Sequence, residues 1–190
     1  MNFLAHSLLA FSDEQITGQF LEDVIRNSER FSFPEDVQKG IKLHREIDTF
    51  TDSHPAISEA KKVFSPIVRL YAGAFVDVAF DYFVAHSMAD EQLFNHSQKV
   101  YAALWKNEKW LPEVLIRMLT KMEQDNWLYN YKNDWGIDFS MRNVLMKAKY
   151  LDKDLPVFQA FLDNKPILKE HFDEFFPDLV AHIEKLRFEI

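Results

Sequence analysis

The chain has no cysteine, which excludes disulfides, thiolate metal sites and cysteine nucleophiles and leaves His, carboxylates and water to hold any metal. Glycine is scarce, four in 190 residues. All four are isolated, so there is no phosphate-cradling loop, dinucleotide-binding fingerprint or nucleophile elbow. Basic residues are outnumbered 22 to 30, for a formal net charge of −8, and broad nucleic-acid binding, which needs clustered Lys and Arg, is not expected. No run approaches the roughly 18 apolar residues of a membrane span. The opening Met1-Asn2-Phe3-Leu4-Ala5-His6 has no basic leader of the kind a signal peptide carries. These absences predict a cytoplasmic protein that does not enter a membrane.

What is present is apolar and aromatic: 47% hydrophobic residues, with 18 Phe, a mix that suits a densely packed helical protein. The length suits one domain over residues 1–190. Ser12-Asp13-Glu14-Gln15 has the spacing of a capping box, with Ser12 as cap and Gln15 reaching back, and predicts a helix to about residue 27 with Glu22 and Arg26 paired one turn apart. Ser32-Phe33-Pro34-Glu35 repeats the signal and starts a helix that Pro55 limits. Its outer face carries Glu35 with Lys39 and Lys42 with Glu46. Ser53 or His54 then caps a helix over 55–64 that Ser65-Pro66 ends. Further helices are predicted at 3–11, 67–87, 91–106, 112–133, 138–150, 154–163 and 167–188, separated by Pro112, Gly136, Pro156 and Pro166. Phe172, Phe175, Phe176 and Leu179 close the core. The predicted fold class is all-α, a single-domain multi-helix bundle.

Polar residues interrupt the apolar stripes in the first half. His44, Asp48 and Asp52 recur every four residues, the first two continuing the stripe of Val37 and Ile41. Asp77 and Asp81 do the same on a later helix that carries Leu70 and Ala74. Asp23 shares a face with Ile16 and Phe20, and His6 sits inside the first apolar segment. Packing several carboxylates together costs repulsion and desolvation unless a cation compensates, so a divalent metal is the economical reading. Imidazole with carboxylates suits Mn²⁺, Fe²⁺ or Zn²⁺, or Mg²⁺ with more water. Such a metal supports hydrolysis at a phosphoryl centre, and Asp52 or Asp81 is a candidate general base.

Across nearly its whole length the sequence resembles the acyl carrier protein phosphodiesterase family. The resemblance lies in the opening hexapeptide, Gly18-x-x-x-x-Asp23, the block from Gly40-Ile41 through His44-Arg45-x-Ile47-Asp48-x-Phe50-Thr51-Asp52-x-His54-Pro55, and Asp77-x-x-x-Asp81. Weaker matches are Trp127-Leu128-x-x-Tyr131, Gly136-Ile137 and Phe175-Phe176-Pro177. The resemblance implies an HD-domain-like fold, a divalent metal, typically Mn²⁺ with Mg²⁺ or Fe²⁺ as alternatives, and removal of 4′-phosphopantetheine from holo acyl carrier protein. It also implies His6, Asp23, His44, Asp48, Asp77 and Asp81 as metal and catalytic positions. Four departures accompany it. Gln19 replaces a common Asn, Arg26-Asn27 replaces a basic residue with Gly, Tyr82 follows the second Asp where the family usually has His, and Met146-Lys147-Ala148-Lys149 replaces a segment rich in Ser and Arg. The carrier is acidic, so Lys39, Lys42, Arg45, Lys61, Lys62 and Arg69 are candidates for docking it. Two alternatives stand beside this reading: a non-catalytic carrier-binding member, motivated by Tyr82, and a metal phosphohydrolase of a small phosphodiester or nucleotide.

Overall fold

In the computed structural model, which describes residues 2–187, the N-terminal segment forms a short helix, α1 (Phe3–Leu8), that ends before the predicted limit. Ser12 caps the next, α2 (Asp13–Glu22), by accepting from the Gln15 amide at 3.1 Å. The Gln15 side chain reaches back one residue further than a capping box requires, accepting from the Phe11 amide at 2.9 Å. Helix α2 stops at Glu22 rather than near residue 27, because Val24-Ile25 and Asn27-Ser28 favour a helix poorly. Glu22 then pairs across to Arg45 at 2.7 Å instead of along its own helix to Arg26.

After a 3-10 turn at Glu29–Ser32, Pro34 takes the N-cap position of α3 (Glu35–Ser53). Ser32, read as the cap, donates instead to the Glu29 carbonyl within the turn. As predicted, α3 ends before Pro55, and His54 caps α4 (Pro55–Val68) by accepting from the Ala56 amide. Pro66 does not end this helix. The break comes at Arg69, whose φ of 51° turns the chain into α5 (Ala72–His86). The stretch Pro55–His86 has the length and hydropathy of a membrane span, yet that break folds it into two helices packed on each other.

The remaining helices are α6 (Asp90–Lys106), α7 (Glu113–Gln124), α8 (Trp127–Asn130), α9 (Asp134–Lys147), α10 (Val157–Asp163) and α11 (Lys165–Leu186). Among the described residues there is no strand, and the class is all-α as expected. The single helix predicted over 112–133 is split at Asn126, which adopts the left-handed conformation at φ 49°. Gly136, read as a separator, lies inside α9, where a side chain would run into the Asn130 carbonyl. Position 188, the predicted end of the last helix, lies outside the described residues.

Helix α5 is the core of the molecule. It is apolar nearly all round, the pattern of a helix covered on every side, and it packs against α1, α4, α9 and α11. Phe75, Val76, Ala79, Phe80 and Val84 are fully buried, and each large side chain contributes about 1.5–3 kcal/mol of burial. Phe80 meets Phe172 and Phe175 of α11, which closes the core as predicted.

The tightest contact is between α2 and α3. A Cβ on Gly18 would lie 2.2 Å from the Val37 carbonyl oxygen, and one on Gly40 would lie 2.3 Å from the Gln15 carbonyl oxygen. The two helices therefore touch backbone to backbone. Gly18→Ala is expected to cost about 1–3 kcal/mol by overpacking, lowering the thermal midpoint by several degrees. Gly73→Ala is the control: its new Cβ meets only the movable end of Lys61, so its midpoint should stay near that of the wild type.

Candidate functional site

Because α2 and α3 lie so close, Gln19 sits beside His44. The His44 Nδ1 lies 2.8 Å from the Gln19 backbone oxygen. A carbonyl only accepts, so Nδ1 carries the proton and donates, and in the neutral ring Nε2 keeps its lone pair. His6 of α1 makes the matching contact, Nδ1 to the Gln19 Oε1 at 2.9 Å. One glutamine thus orients both rings. The rings are buried, 4% and 6% exposed, and stack with centroids 3.9 Å apart and planes 15° from parallel.

Both Nε2 atoms face Asp48. The His6 Nε2 is 3.3 Å from Asp48 Oδ1, and the His44 Nε2 is 3.2 Å from Oδ2. Asp23, just beyond α2, brings Oδ1 to 3.8 Å from the same His44 nitrogen. One donor atom each from His6, His44 and Asp48 lies within 4.8 Å of the others. The His6 Nε2 is buried, and the polar group it faces is the Asp48 carboxylate. Two imidazole lone pairs and a half-exposed carboxylate converging on one point, each ring fixed through its far nitrogen, is the donor set a divalent metal takes. The residues fit such an ion.

The charges within the group are tuned against one another. Burial lowers the His6 pKa to about 4, despite the hydrogen-bonding pull of Asp48. Burial also acts to lower His44, but Asp48 and Asp23 outweigh it and the net shift is upward. Burial would raise Asp48, but hydrogen bonding to His44 and His6 overrides it and holds the carboxyl well below the usual range. Loss of hydration pushes Asp23 upward, against the pull of His44. The group carries a carboxylate and a readily protonated imidazole, and a proton and a cation compete for it.

The other predicted positions are distributed around this group. Asp77, partly buried on α5, lines a cleft of about 610 Å³ together with His6 and Asp23. Asp81 is fully buried, and its two oxygens accept the amides of Leu4 and Ala5 at 2.9 and 3.1 Å. It anchors the N-terminus of α1, the helix that carries His6. Burial pushes its pKa up to about 7, against the pull of those amides. Asp52 is exposed and pairs with Lys61 at 3.0 Å, outside the group. Tyr82 packs on Phe161, stacks near His86 and has its hydroxyl 3.2 Å from Lys165 Nζ. The histidine–carboxylate group is assembled without it.

Of the docking candidates, Lys39, Lys42 and Arg45 line one groove on α3 with Arg30, Phe31 and Glu35, where Lys39 pairs with Glu35 and Asp36 and Arg45 with Glu22; Lys61 and Lys62 are paired on α4 with Asp52 and Glu59. Arg69 forms the α4–α5 break. Sequence reasoning missed the orienting role of Gln19, whose only signal was a buried amide beside Gly18. It also missed Lys121 and Lys147, which line the same cleft as Asp23 from α7 and α9.

Comparison with known proteins gives a consistent match. A family model described as acyl carrier protein phosphodiesterase matches residues 1–179. The protein of that name from Enterobacter sp. (strain 638) is 27% identical over 189 residues, covering 95% of this chain and 96% of its own. The one from Escherichia coli (strain K12 / DH10B) is 27% identical over 200 residues, covering 97% and 98%. No solved structure matches the chain.

Two measurements probe this arrangement. His6 titrates near 4 when folded and from 6.5 when free, so the unfolded chain binds more protons between those values and stability falls as pH drops through that window. His44 has the opposite sign: its contribution is full below 6.5 and is lost as pH rises through its raised folded value. Thermal unfolding in chelator is expected to show less acid destabilisation between pH 6.5 and 4 for His6→Asn than for the wild type. Asp81→Asn should cost about 1–3 kcal/mol, because one of the two α1 amides loses its acceptor, seen as a lower midpoint at pH 8.

Proposed function

The chain belongs to the acyl carrier protein phosphodiesterase family, and from that premise we propose that it is a metal-dependent phosphodiesterase that removes 4′-phosphopantetheine from holo acyl carrier protein in the cytoplasm. The observation that carries the metal dependence is the convergence of the His6 and His44 Nε2 atoms on Asp48, with both Nδ1 atoms held by Gln19. His6, His44 and Asp48 would hold the ion, Mn²⁺ by preference and Mg²⁺ or Fe²⁺ as alternatives, with Asp23 beside it. When bound, the ion supplies a Lewis acid for a phosphoryl oxygen and makes water more acidic.

The chain's own residues divide the remaining work. Gln19 fixes the tautomer and direction of both imidazoles, so no reorganisation is needed when charge develops at phosphorus. Asp23 is 44% exposed at the mouth of the cleft and has a raised pKa, which suits a carboxylate that orients water and accepts its proton. Asp77 faces the same cleft and adds negative charge that favours a cation over a proton. Asp81 holds α1, and therefore His6, in register.

The substrate is a protein rich in carboxylates, and this chain is itself acidic, so docking depends on a local reversal of sign. In the α3 groove, where Lys39 and Arg45 are paired with carboxylates, Arg30 and Lys42 offer it. Lys42 is exposed, free to meet a carrier carboxylate.

Holo carrier incubated with the protein and Mn²⁺ should lose the mass of phosphopantetheine in a mass-spectrometric assay. His44→Ala should fall to background, Tyr82→His should stay within a few-fold of the wild type, and Lys42→Glu should raise KM with kcat retained. Calorimetry should show Mn²⁺ binding that is lost in His44→Ala and weakened about 10–100-fold in Gln19→Ala. Unchanged carrier mass alongside an active relative would sink the proposal.

A further inference from the structure

The cleft that His6, Asp23 and Asp77 line at one end has a second wall, built by α7, α8 and α9, that differs in character. Lys121 and Lys147 stand on it, and among the described residues neither makes a salt bridge or a side-chain hydrogen bond. The Lys147 charge acts on the Asp23 carboxyl and favours its ionised form, so one of the two cations stands near the histidine–carboxylate group. Between them the wall is apolar, with Met118 and Phe139. Trp127 packs edge-on against Phe139, ring centroids 5.7 Å apart and planes at 64°. The Trp127 indole Nε1 is buried and has no hydrogen-bond partner, and the Asn143 side chain lines the same wall.

We infer that this wall is the subsite for the leaving arm of the substrate: Lys147 and Lys121 take the phosphate charge, and Met118, Phe139, Trp127 and Asn143 take an extended chain that alternates apolar carbons with amides. The inference rests on the phosphodiesterase reading and names what selects the substrate within it. A phosphopantetheine arm has one anionic end, a branched hydrocarbon portion and two amides. Each has a counterpart here: a cation, an apolar surface, and in the Asn143 side chain an amide that can pair with an amide of the arm. A nucleotide presents a flat base instead, and Trp127 and Phe139, set edge to face, form no parallel slot for one. Both cations line the same cleft as His6 and Asp23, so a phosphate held by them stays in the cleft onto which the histidine–carboxylate group opens.

The test measures binding to Mn²⁺-supplemented protein by calorimetry, with 4′-phosphopantetheine, pantetheine, inorganic phosphate and adenosine monophosphate as probes. The expected order is phosphopantetheine tightest, pantetheine about tenfold weaker for want of a charge-assisted contact, and inorganic phosphate and the nucleotide weakest. The double variant Lys121→Gln/Lys147→Gln should bring phosphopantetheine down to the level of pantetheine and leave pantetheine unchanged. Met118→Glu should weaken both, with thermal melts of each variant establishing that it is folded. Equal affinity for phosphopantetheine and inorganic phosphate would overturn the inference, as would a nucleotide that binds as tightly, or lysine variants without effect. Turnover of holo carrier in the same preparations separates the two readings. Carrier turnover with no preference for the arm overturns the subsite and leaves the phosphodiesterase standing. Preference for the arm without turnover supports the subsite and counts against the activity.

Discussion

The contact on which the site depends is the backbone-to-backbone packing of α2 on α3 through Gly18 and Gly40. Any side chain at either position would overlap a carbonyl of the other helix. The approach brings a main-chain oxygen of one helix within hydrogen-bond reach of an imidazole on the other, a distance that side chains between helices would ordinarily prevent. Gln19, next to Gly18, then uses its backbone oxygen for His44 and its side chain for His6. Asp23, one turn further along, arrives beside the same ring. Small residues at a crossing are usually read as packing. Here the packing sets the protonation geometry of both histidines.

A second constraint comes from α5. An aspartate in the middle of an otherwise apolar helix should be expensive, and Asp81 meets that cost with two amides at the start of α1. Those amides are donors a helix N-terminus leaves without intrahelical partners, so burial of the acid and capping of α1 are one interaction. The core helix fixes α1, α1 carries His6, and His6 completes the group that α2 and α3 began. The stability of the core and the geometry of the site therefore rest on shared residues.

The electrostatics around the cleft differ from the acidic average of the chain. Carboxylates gather around His6 and His44, a group whose donor atoms fit a cation. Lys121 and Lys147 line the same cleft, and a separate groove on α3 collects Arg30 and Lys42 beside the paired Lys39 and Arg45. Local sign, not net charge, governs which ligand is attracted at close range, because screening limits each charge to about 10 Å in ordinary salt. The exposed pairs, such as Lys62 with Glu59, contribute little by comparison.

The amino-acid sequence alone determined the all-helical class, the end of α3 before Pro55, the Ser12 cap and the presence of His6 and His44 on inward-facing positions. These follow from local propensity and from the 3.6-residue period, which act over a few residues. Helical spacing also grouped Asp52 with His44 and Asp48, and Asp81 with Asp77, because periodicity reports a face and not what that face meets. Tertiary structure separated them: Asp52 reaches Lys61 in solvent, and Asp81 binds the amides of α1. The helices also break at Arg69, where local preference disfavours the left-handed region, and at Asn126, a residue type that tolerates it. The role of Gln19 and the approach of Lys121 and Lys147 to Asp23 were equally decided by the fold, since each joins residues distant in the chain through contacts that no local pattern records.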